Sequence, residues 1–359
     1  MVHVPDTDPV FETGLYAHPE ADLTDKSIFV TGATGCFGSR LVETICGQFQ
    51  PKRLIVFSRD ESKQFEMARR LNPADYPFLR YVLGDVRDLD RLVETMKDVD
   101  VVVHAAAMKH VTLSEQNPME CLRTNAQGTQ NVIHAAERCG VTAVSVVSTD
   151  KAVQPVNMYG ASKLAAEKIA TSRPFGTEVT GGPRTHVVRF GNFVGSRGSV
   201  IPIFNALIRD GSASLPVTDQ RMTRFWITVD EAVNFALSSL SFAKGGEIFV
   251  PKLRSMAVVD LARFMAPNLK IVFTGLRDGE RLHEQLIASD VASNVLDYQH
   301  RYVILRANRT AERNLYIKAG AVKVEENFSL CSNSHPISVD DASNVKAVTQ
   351  REHLRLLAD

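Results

Sequence analysis

The sequence predicts an α/β fold with a doubly wound parallel sheet and a smaller lobe after it. Between residues 26 and 190, short apolar runs rich in β-branched residues alternate with helical stretches. A glycine-rich turn directly follows the first of these runs. Continuous apolar strands that alternate with helices are typical of βαβ units whose sheet is covered on both faces. Right-handed crossovers then give the doubly wound arrangement.

The elements of this alternation can be assigned in chain order. The predicted strands are 27–30, 53–57, 79–83, 99–103, 144–147 and 185–189. The predicted helices are 37–48, 61–71, 89–97, 117–139 and 158–170. After about residue 190 the alternation loosens into loops and separated helices, and an apolar stretch at 247–251 is predicted to return to the sheet as a strand.

Composition and charge argue against several classes of protein. The chain has 41 Lys and Arg against 41 Asp and Glu, so nothing concentrates the positive charge that a nucleic-acid surface needs. No apolar run reaches the roughly 18 residues of a transmembrane helix. Five cysteines without a C-x-x-C pair predict reduced thiols rather than a disulfide framework. We therefore expect a cytoplasmic protein that binds neither nucleic acid nor membrane and holds no metal.

The glycine-rich turn predicts a dinucleotide site. Gly32 permits a tight turn, Gly35 lets the backbone approach a pyrophosphate, and Gly38 allows close packing of helix on strand. The N-terminus of the following helix presents free N–H groups and a positive dipole end to the phosphates. Because the turn lies between a predicted strand and a predicted helix, we favour a Rossmann-type dinucleotide site over a purely structural glycine turn.

The tip of the second strand predicts NADP rather than NAD. A preference for NAD usually goes with a carboxylate at this tip, whereas this chain carries Ser58 and Arg59, with Lys63 one turn further. Two cations suit a 2′-phosphate, and the alternative is that Arg59 merely caps the following helix. Asp85 ends the third strand, where a carboxylate can accept the adenine amino group. Small residues at 105–107 follow the fourth strand and leave room for the cofactor.

The fifth strand and the helix after it carry a catalytic pattern. Tyr159 and Lys163 are four residues apart and therefore share one helix face. A lysine ammonium near a phenol lowers the phenol's pKa, so we expect Tyr159 to act as a base toward a hydroxyl. Taken alone, this spacing more often marks an exposed pair. Its place one strand after the predicted cofactor-binding half favours catalysis.

Asp150 and Lys151, directly after the fifth strand, add an acid and an amine beside that tyrosine. Simple oxidation of an alcohol needs neither group, so the pair points to an elimination, with a structural salt bridge as the alternative. An amine that removes a carbon-bound proton must be neutral. We expect burial and nearby Lys163 to lower the pKa of Lys151 toward that state.

These residues together resemble the extended short-chain dehydrogenase/reductase superfamily. More narrowly, the chain is similar to the UDP-N-acetylglucosamine 4,6-dehydratases, and most to the C5-inverting enzymes of pseudaminic acid biosynthesis. The motifs that carry the resemblance include HAAAMKHV (104–111), STDKA (148–152), MYGASK (158–163), RFGNFVGSRGSVIP (189–202), TDQRMTRFW (218–226) and GERLHE (279–284). The chain departs from the usual pattern at Ala33, Cys36 and Thr112, where relatives usually have glycine, serine and proline.

The resemblance implies a role for each matching residue. Lys151 would be the catalytic base, assisted by Asp150 and Thr149, while Tyr159 and Lys163 would serve the redox step. The implied substrate contacts are Lys109, Asn192, Arg197, Val200, Thr218, Arg221, Arg277 and Glu280. The candidate cofactor contacts are Gly32, Thr34, Gly35, Cys36, Phe37, Gly38, Ser58, Arg59, Asp60, Glu61, Ser62, Lys63, Asp85, Val86, Ala105, Ala106, Lys109, Thr124, Tyr159, Lys163 and Phe193.

The implied reaction is a hydro-lyase reaction that converts UDP-N-acetylglucosamine into a UDP-4-keto-6-deoxy-hexosamine with inversion at C5. Tyr159 would take the proton of the 4-hydroxyl, Lys151 the C5 proton, and Asp150 would protonate the departing 6-hydroxyl. NADP would stay tightly bound and be regenerated in every turnover. The alternatives are a C5-retaining dehydratase, a UDP-hexosamine 4-epimerase and a non-catalytic NADP-binding sensor. Because relatives assemble into oligomers, we expect a homo-oligomer.

These predictions divide the chain into four parts. Residues 1–24 form an arm with five acidic residues and no Lys or Arg, which is unlike a signal or transit peptide. We expect a solvated arm there, or else a strand that docks on a neighbouring subunit. Residues 25–190 form the NADP-binding domain and 191–300 the substrate-binding lobe, apart from the strand near 247–251. Residues 301–359 are a tail whose sequence indicates little.

Overall fold

Six parallel strands from the first half of the chain form the centre of the main sheet. The computed structural model describes residues 16–172, 182–196, 198–307 and 309–334. The six strands are β1 (Ser27–Thr31), β2 (Arg53–Ser58), β3 (Leu79–Leu83), β4 (Val101–His104), β5 (Ala143–Thr149) and β6 (Arg184–Phe190). They lie side by side in the order β3-β2-β1-β4-β5-β6. The predicted doubly wound α/β fold is confirmed.

Helices cover both faces of these strands. They are α1 (Cys36–Gln48), α2 (Glu61–Arg70), α3 (Leu89–Thr95), α4 (Val111–Gln116), α5 (Pro118–Leu122), α6 (Gly128–Arg138) and α7 (Met158–Thr171). A π-helical turn, Arg123–Gln127, joins α5 to α6, so the single helix predicted at 117–139 is interrupted. Within this turn, Asn125 donates to the Met108 carbonyl at 2.9 Å and to Ser162 Oγ at 2.8 Å. The turn thereby ties the loop after β4 to α7.

The second half of the chain extends the sheet and builds a separate lobe. Its helices are α8 (Val200–Arg209), α9 (Val229–Phe242), α10 (Val258–Met265) and α11 (Thr310–Lys318). Its strands are β7 (Asn192–Phe193), β8 (Ser214–Val217), β9 (Thr223–Ile227), β10 (Ile248–Pro251), β11 (Arg254–Ala257), β12 (Lys270–Phe273), β13 (Gln285–Ile287), β14 (Val295–Tyr298), β15 (Arg301–Ile304), β16 (Val322–Lys323) and β17 (Leu330–Cys331).

Four of these later strands join the main sheet, which has ten strands in all. β10 pairs in parallel with β6, and β15 pairs antiparallel with β10. β14 and β16 follow at the outer edge, so part of the tail belongs to the sheet. Helix α9 also packs on this sheet, beside α1, with Phe235 and Leu237 in the same apolar cluster as Leu41 and Ile45.

The lobe has its own apolar core. Trp226 on β9 is fully buried in it, together with Phe204 of α8 and Leu261 of α10. Two small sheets, β11-β9-β7 and β12-β8, flank this core. Because β7 follows β6 almost directly, the lobe is joined to the carboxyl edge of the main sheet.

The described end of the predicted N-terminal arm is bound to the main body. Tyr16 is buried, its ring lies edge-on to Phe235 at 5.0 Å, and its hydroxyl donates to the His300 carbonyl. Asn234 of α9 donates to the Tyr16 carbonyl at 2.8 Å. The rest of the arm, residues 1–15, lies outside the described residues. Within the described part of the chain, no helix combines the length and apolar character needed to cross a membrane.

Two histidines are buried in the sheet without charge. His104 on β4 hydrogen bonds through both ring nitrogens, to Thr31 at 2.7 Å and Thr129 at 3.0 Å. His186 on β6 finds no hydrogen-bond partner for either nitrogen among the described residues. Burial lowers the pKa of each to about 3. Since an unfolded histidine titrates near pH 6.5, the unfolded chain binds more protons than the folded chain between about pH 6.5 and pH 3.

We predict that His186→Leu makes the protein less sensitive to acid. As the pH is lowered through this window, the free energy of unfolding should fall by roughly 1.4 kcal/mol per pH unit for each buried histidine. The variant removes one such contribution, and at pH 7 it should be at least as stable because an unpaired buried imidazole is gone. Urea denaturation at several pH values measures both effects, with exposed His134→Leu as the control. An unchanged pH slope would contradict the prediction.

Candidate active site

A cavity of about 490 Å³ opens where the carboxyl ends of the central strands face the lobe. Its wall contains residues that follow β4, β5 and β6 and residues of the lobe. They include Lys109, His110, Lys151, Asn192, Val200, Thr218, Arg224, Arg277, Glu280 and Glu284. This is the edge at which doubly wound folds bind their ligands.

The glycine turn beside this cavity has the geometry of a pyrophosphate site. Gly32 has φ +63°, and a Cβ there would lie 2.6 Å from the backbone nitrogen of Ala106. A Cβ at Gly38 would lie 2.3 Å from the Gly32 carbonyl oxygen. Gly35 is the N-cap of α1, no side chain caps that terminus, and its first turn contains no acidic residue. The start of α1 therefore presents its N-terminal N–H groups to a phosphate without a competing side-chain cap, and the site fits a dinucleotide.

The tip of β2 presents an exposed arginine. Asp60, and not Arg59, caps α2 by accepting a hydrogen bond from the Lys63 backbone N–H at 3.0 Å. Arg59 is exposed, with its guanidinium 3.9 Å from the Asp85 carboxylate. That carboxylate also accepts two hydrogen bonds from the Arg87 side chain, at 3.0 and 2.7 Å. Arg87, which was not predicted from the sequence, thus pairs with the carboxylate predicted to meet the adenine.

Aromatic residues close the other side of the glycine turn. Phe193 on β7 stacks on Phe37 of α1, with ring centroids 6.1 Å apart and an interplanar angle of 19°. Thr124, in the π-helical turn, is buried. The structure thus brings two candidate cofactor contacts, one from β7 and one from α1, together beside the glycine turn.

The turn after β5 holds the amine of Lys151 among oxygen atoms. Its Nζ lies 3.0 Å from Asp150 Oδ1, 3.3 Å from Asn192 Oδ1 and 3.3 Å from Glu284 Oε1. Thr149 donates to the same Asp150 oxygen at 2.9 Å. The structure therefore places Asp150 and Glu284 around Lys151, with Thr149 bound to Asp150, and both Lys151 and Glu284 line the cavity.

These contacts overturn the predicted state of the amine. Burial alone lowers the pKa of Lys151, but the carboxylates of Asp150 and Glu284 outweigh it and hold that pKa above its usual range. The expectation of a lowered pKa was therefore wrong. Burial raises the pKa of Asp150, and Lys151 offsets this only in part. Burial also raises the pKa of Glu284, but the positive charges of Lys151 and Arg224 outweigh burial and lower that pKa.

Tyr159 and Lys163 also differ from the prediction. Burial raises the pKa of Tyr159 to about 12, opposed by Lys151 and by a hydrogen bond with Thr149. Lys163 donates to the Val147 carbonyl at 2.6 Å, and burial lowers its pKa to about 8. The expectation that Lys163 lowers the pKa of Tyr159 was wrong, because the cation that acts on the phenol is Lys151.

The first turn of α7 packs directly on the turn that holds Lys151. A Cβ at Gly160 would lie 2.1 Å from the Lys151 carbonyl oxygen. Asn157 caps α7 by accepting from the Gly160 N–H at 2.8 Å, and it donates to the Gly279 carbonyl at 2.8 Å. The same side chain thus fixes both the start of α7 and the loop that carries Arg277 and Glu280.

The predicted substrate contacts fall into three groups. Six of them line the cavity, namely Lys109, Asn192, Val200, Thr218, Arg277 and Glu280. Arg221 does not line it, since its guanidinium forms two hydrogen bonds with Asp219 in an exposed turn, at 2.9 and 2.8 Å. Arg197 lies outside the described residues. Arg224, three positions after Arg221 in the same motif, is the buried arginine of the wall, and the sequence analysis missed it.

Known proteins are similar in sequence to this chain over most of its length. The family described as "Polysaccharide biosynthesis protein" matches residues 28–306. A Campylobacter jejuni protein named UDP-N-acetylglucosamine 4,6-dehydratase (inverting) is 44% identical over 334 residues, 91% of this chain and 98% of that protein. A Rickettsia rickettsii protein named UDP-glucose 4-epimerase is 37% identical over 310 residues, 84% of this chain and 89% of that protein.

A solved structure has the same architecture. The dTDP-glucose 4,6-dehydratase DesIV from Streptomyces venezuelae, with NAD and TYD bound, matches with a TM-score of 0.62 and 25% identity. The match covers 71% of this chain and 86% of that one. A nicotinamide dinucleotide is therefore bound by a protein of this fold.

We predict that Gly160→Ala destabilises the protein by about 1–3 kcal/mol, because the new methyl group would displace the backbone of Lys151. That turn is itself held by a hydrogen bond from the Val153 N–H to the Asp150 carbonyl at 3.0 Å. Gly47→Ala is the matched control: the position is exposed in α1, a Cβ there meets nothing within 4 Å, and alanine should stabilise the helix by about 0.5–1 kcal/mol. Urea denaturation of both variants decides, and equal stability would contradict the packing argument.

Proposed function

This chain belongs to the polysaccharide biosynthesis protein family, and on that premise we propose that it is a UDP-N-acetylglucosamine 4,6-dehydratase that inverts C5. The observation that carries the proposal is that Asp150 and Tyr159 lie beside Lys151, whose side chain lines the cavity. Dehydration needs an acid for the departing hydroxyl and a base for the C5 proton. The similarity to the Campylobacter jejuni dehydratase over 91% of this chain supports the same activity.

A nicotinamide cofactor fits the glycine turn, and when bound it would accept a hydride from the sugar and return it. We propose that the cofactor is NADP. Arg59 is exposed at the tip of β2, and Lys63 lies one turn further with its amine 2.9 Å from Asp60. Both cations can meet a 2′-phosphate, because neither is buried in another ion pair. Tight binding would let one cofactor serve each turnover.

The chain's own groups divide the proton transfers between them. Tyr159 takes the proton of the 4-hydroxyl as a phenolate, the state that Lys151 and the hydrogen bond with Thr149 favour against burial. Asp150, whose pKa is raised by burial, is the acid that gives a proton to the departing 6-hydroxyl. Lys151 takes the C5 proton. Cationic Lys109 and Arg277 in the cavity wall suit the diphosphate of the substrate.

The main competing function is a 4-epimerase. The Rickettsia rickettsii relative, 37% identical, is named for such an activity. Epimerisation at C4 needs the tyrosine and the cofactor but no acid at C6, so Asp150 and Lys151 would have no role in it. Burying the Asp150 carboxylate is costly, and its pairing with Lys151 at the cavity wall favours dehydration. A non-catalytic sensor would not need Tyr159, Asp150 or Lys151.

The setting of the enzyme follows from the same reasoning. We propose a cytoplasmic enzyme of pseudaminic acid biosynthesis, since its five cysteines are free thiols that fit a reducing compartment. We also propose a homo-oligomer, because the family it resembles is oligomeric. Sedimentation of the purified chain tests the assembly independently of the activity.

We predict that the protein converts UDP-N-acetylglucosamine without added cofactor and, in heavy water, places deuterium at C5. The expected early product is UDP-2-acetamido-2,6-dideoxy-β-L-arabino-hexos-4-ulose, read from NMR coupling constants before spontaneous epimerisation. A D-xylo product at that time would identify a retaining dehydratase. A C4 epimer that keeps its 6-hydroxyl would identify an epimerase. An unchanged substrate would indicate a non-catalytic NADP-binding sensor.

We predict that Arg59→Ala weakens NADP binding about tenfold to a hundredfold and leaves NAD binding nearly unchanged. Only NADP carries the 2′-phosphate, and a charge-assisted hydrogen bond is worth roughly 1.5–3 kcal/mol. Fluorescence titration with both dinucleotides measures the difference. Arg69→Ala, an exposed arginine of α2, is the matched control and should weaken neither. Equal weakening of NADP and NAD by Arg59→Ala would make Arg59 a structural residue.

A further inference from the structure

We propose that Glu284 is a positioning residue for Lys151, which holds the amine at the cavity and takes its proton before the amine acts as a base. This inference rests on the proposed dehydratase function and deepens it. Glu284 ends the GERLHE motif directly before β13, and the resemblance gives it no role.

Glu284 approaches Lys151 from a different part of the fold than Asp150 does. Its Oε1 lies 3.3 Å from Lys151 Nζ, while Asp150 Oδ1 lies 3.0 Å from it. Arg224, from β9, faces the same Glu284 oxygen at 3.8 Å, and Tyr159 faces the cluster from α7. Lys151 therefore has two carboxylates, one arginine and one phenol around it.

Each carboxylate keeps one oxygen unused. Glu284 is 3% exposed and Asp150 0%, yet Glu284 Oε2 and Asp150 Oδ2 have no hydrogen-bond partner among the described residues. A buried polar atom without a partner costs about 1–3 kcal/mol, so two of them beside one cavity call for a function. An unpaired carboxylate oxygen is a site that can accept or hold a proton.

The surroundings separate the two carboxylates into an acid and an anion. Burial favours the protonated form of Asp150, whereas Lys151 and Arg224 hold Glu284 ionised despite its burial. When the surroundings of two titratable groups push their pKa values apart, the group with the higher pKa is assigned as the acid and the other as the base or anion. Lys151 then rests as a cation paired with the Glu284 anion, and a cation cannot take the C5 proton.

The proposed reaction begins with a proton transfer between Lys151 and Glu284. A proton moves from Lys151 Nζ to Glu284 Oε1 and leaves a neutral amine and a neutral acid. The amine then takes the C5 proton of the 4-ketone, and the C5–H electron pair forms the C5=C6 bond as the C6–O bond breaks. The departing hydroxyl takes the proton of Asp150 and leaves as water. Lys151 is again a cation, Glu284 is protonated and Asp150 is ionised.

The tail holds Glu284 in this position. The Glu284 N–H donates to Ser332 Oγ at 2.9 Å, and the Ser332 N–H donates to the Glu284 carbonyl at 2.8 Å. Ser332 Oγ also lies 2.7 Å from Thr223 Oγ1 on β9. These bonds, with the pairing of β13 and β17, fix the backbone from which the carboxylate reaches Lys151.

The test compares Glu284→Gln with the wild-type enzyme on UDP-N-acetylglucosamine. We expect kcat to fall roughly a hundredfold with KM nearly unchanged, since the proton acceptor is lost but the cavity keeps its shape. Reduced nicotinamide should accumulate, because oxidation at C4 precedes the blocked step, and its near-ultraviolet absorbance reports this. The residual kcat should rise about tenfold per pH unit, because Lys151 must now lose its proton to solvent.

Glu247→Gln is the matched control, since Glu247 is equally buried but hydrogen bonds with Lys244, Gly245 and Tyr316, away from the cavity. It should leave kcat and its pH dependence unchanged. A Glu284→Gln enzyme with wild-type kcat and pH profile overturns the inference, and so does a Glu247→Gln enzyme with the same defects.

If Glu284→Gln does not fold, Glu284→Asp replaces it. The aspartate keeps the charge but is one methylene shorter, so kcat should fall about tenfold with the wild-type pH profile. A wild-type kcat in this variant overturns the inference. A wild-type protein that leaves UDP-N-acetylglucosamine unchanged overturns the proposed function itself, whereas an active wild type with an unaffected Glu284 variant overturns only the inference.

Discussion

The side chain of Lys151 is only 22% exposed, and the cost of withdrawing its ammonium from water is offset because Asp150 and Glu284 lie within 3.3 Å of the amine. Neither carboxylate is stable there alone, since each is buried almost completely. The three groups therefore depend on one another, and the fold must deliver them to one point. Most of the architecture around the cavity can be understood from that requirement.

A second buried network fixes the relative position of the segments that carry these groups. Arg189 on β6 forms two hydrogen bonds with Glu167 of α7, at 2.9 and 2.6 Å, and a third with the Leu286 carbonyl of β13 at 2.7 Å. Glu167 also accepts from Ser148 of β5 at 2.7 Å. One arginine thus connects the strand before Lys151, the helix of Tyr159 and the strand after Glu284. A shift in any of these elements would strain the others.

The sequence predicted the sheet and the cofactor half well because their signals are local. Strand and helix periodicity and the glycine turn each lie within a few residues, and all six predicted strands of the first half are present. The states of Lys151 and Tyr159 were mispredicted because they depend on contacts from distant segments. No local signal places Glu284 against Lys151, or shows that Arg224 on β9 lines the cavity while Arg221, in the turn before that strand, pairs with Asp219. The strands of the tail are too short to show a period.

The close approach at Gly160 connects the two halves of the chemistry. Because no Cβ intervenes, the first turn of α7 touches the Lys151 carbonyl, and Tyr159 lies near enough to share the field of that amine. The phenol that we propose for oxidation at C4 and the amine that we propose for elimination at C5 are therefore electrostatically coupled. A proton gained by one changes the basicity of the other. Oxidation and water loss can then follow one another on a sugar that does not move between two sites.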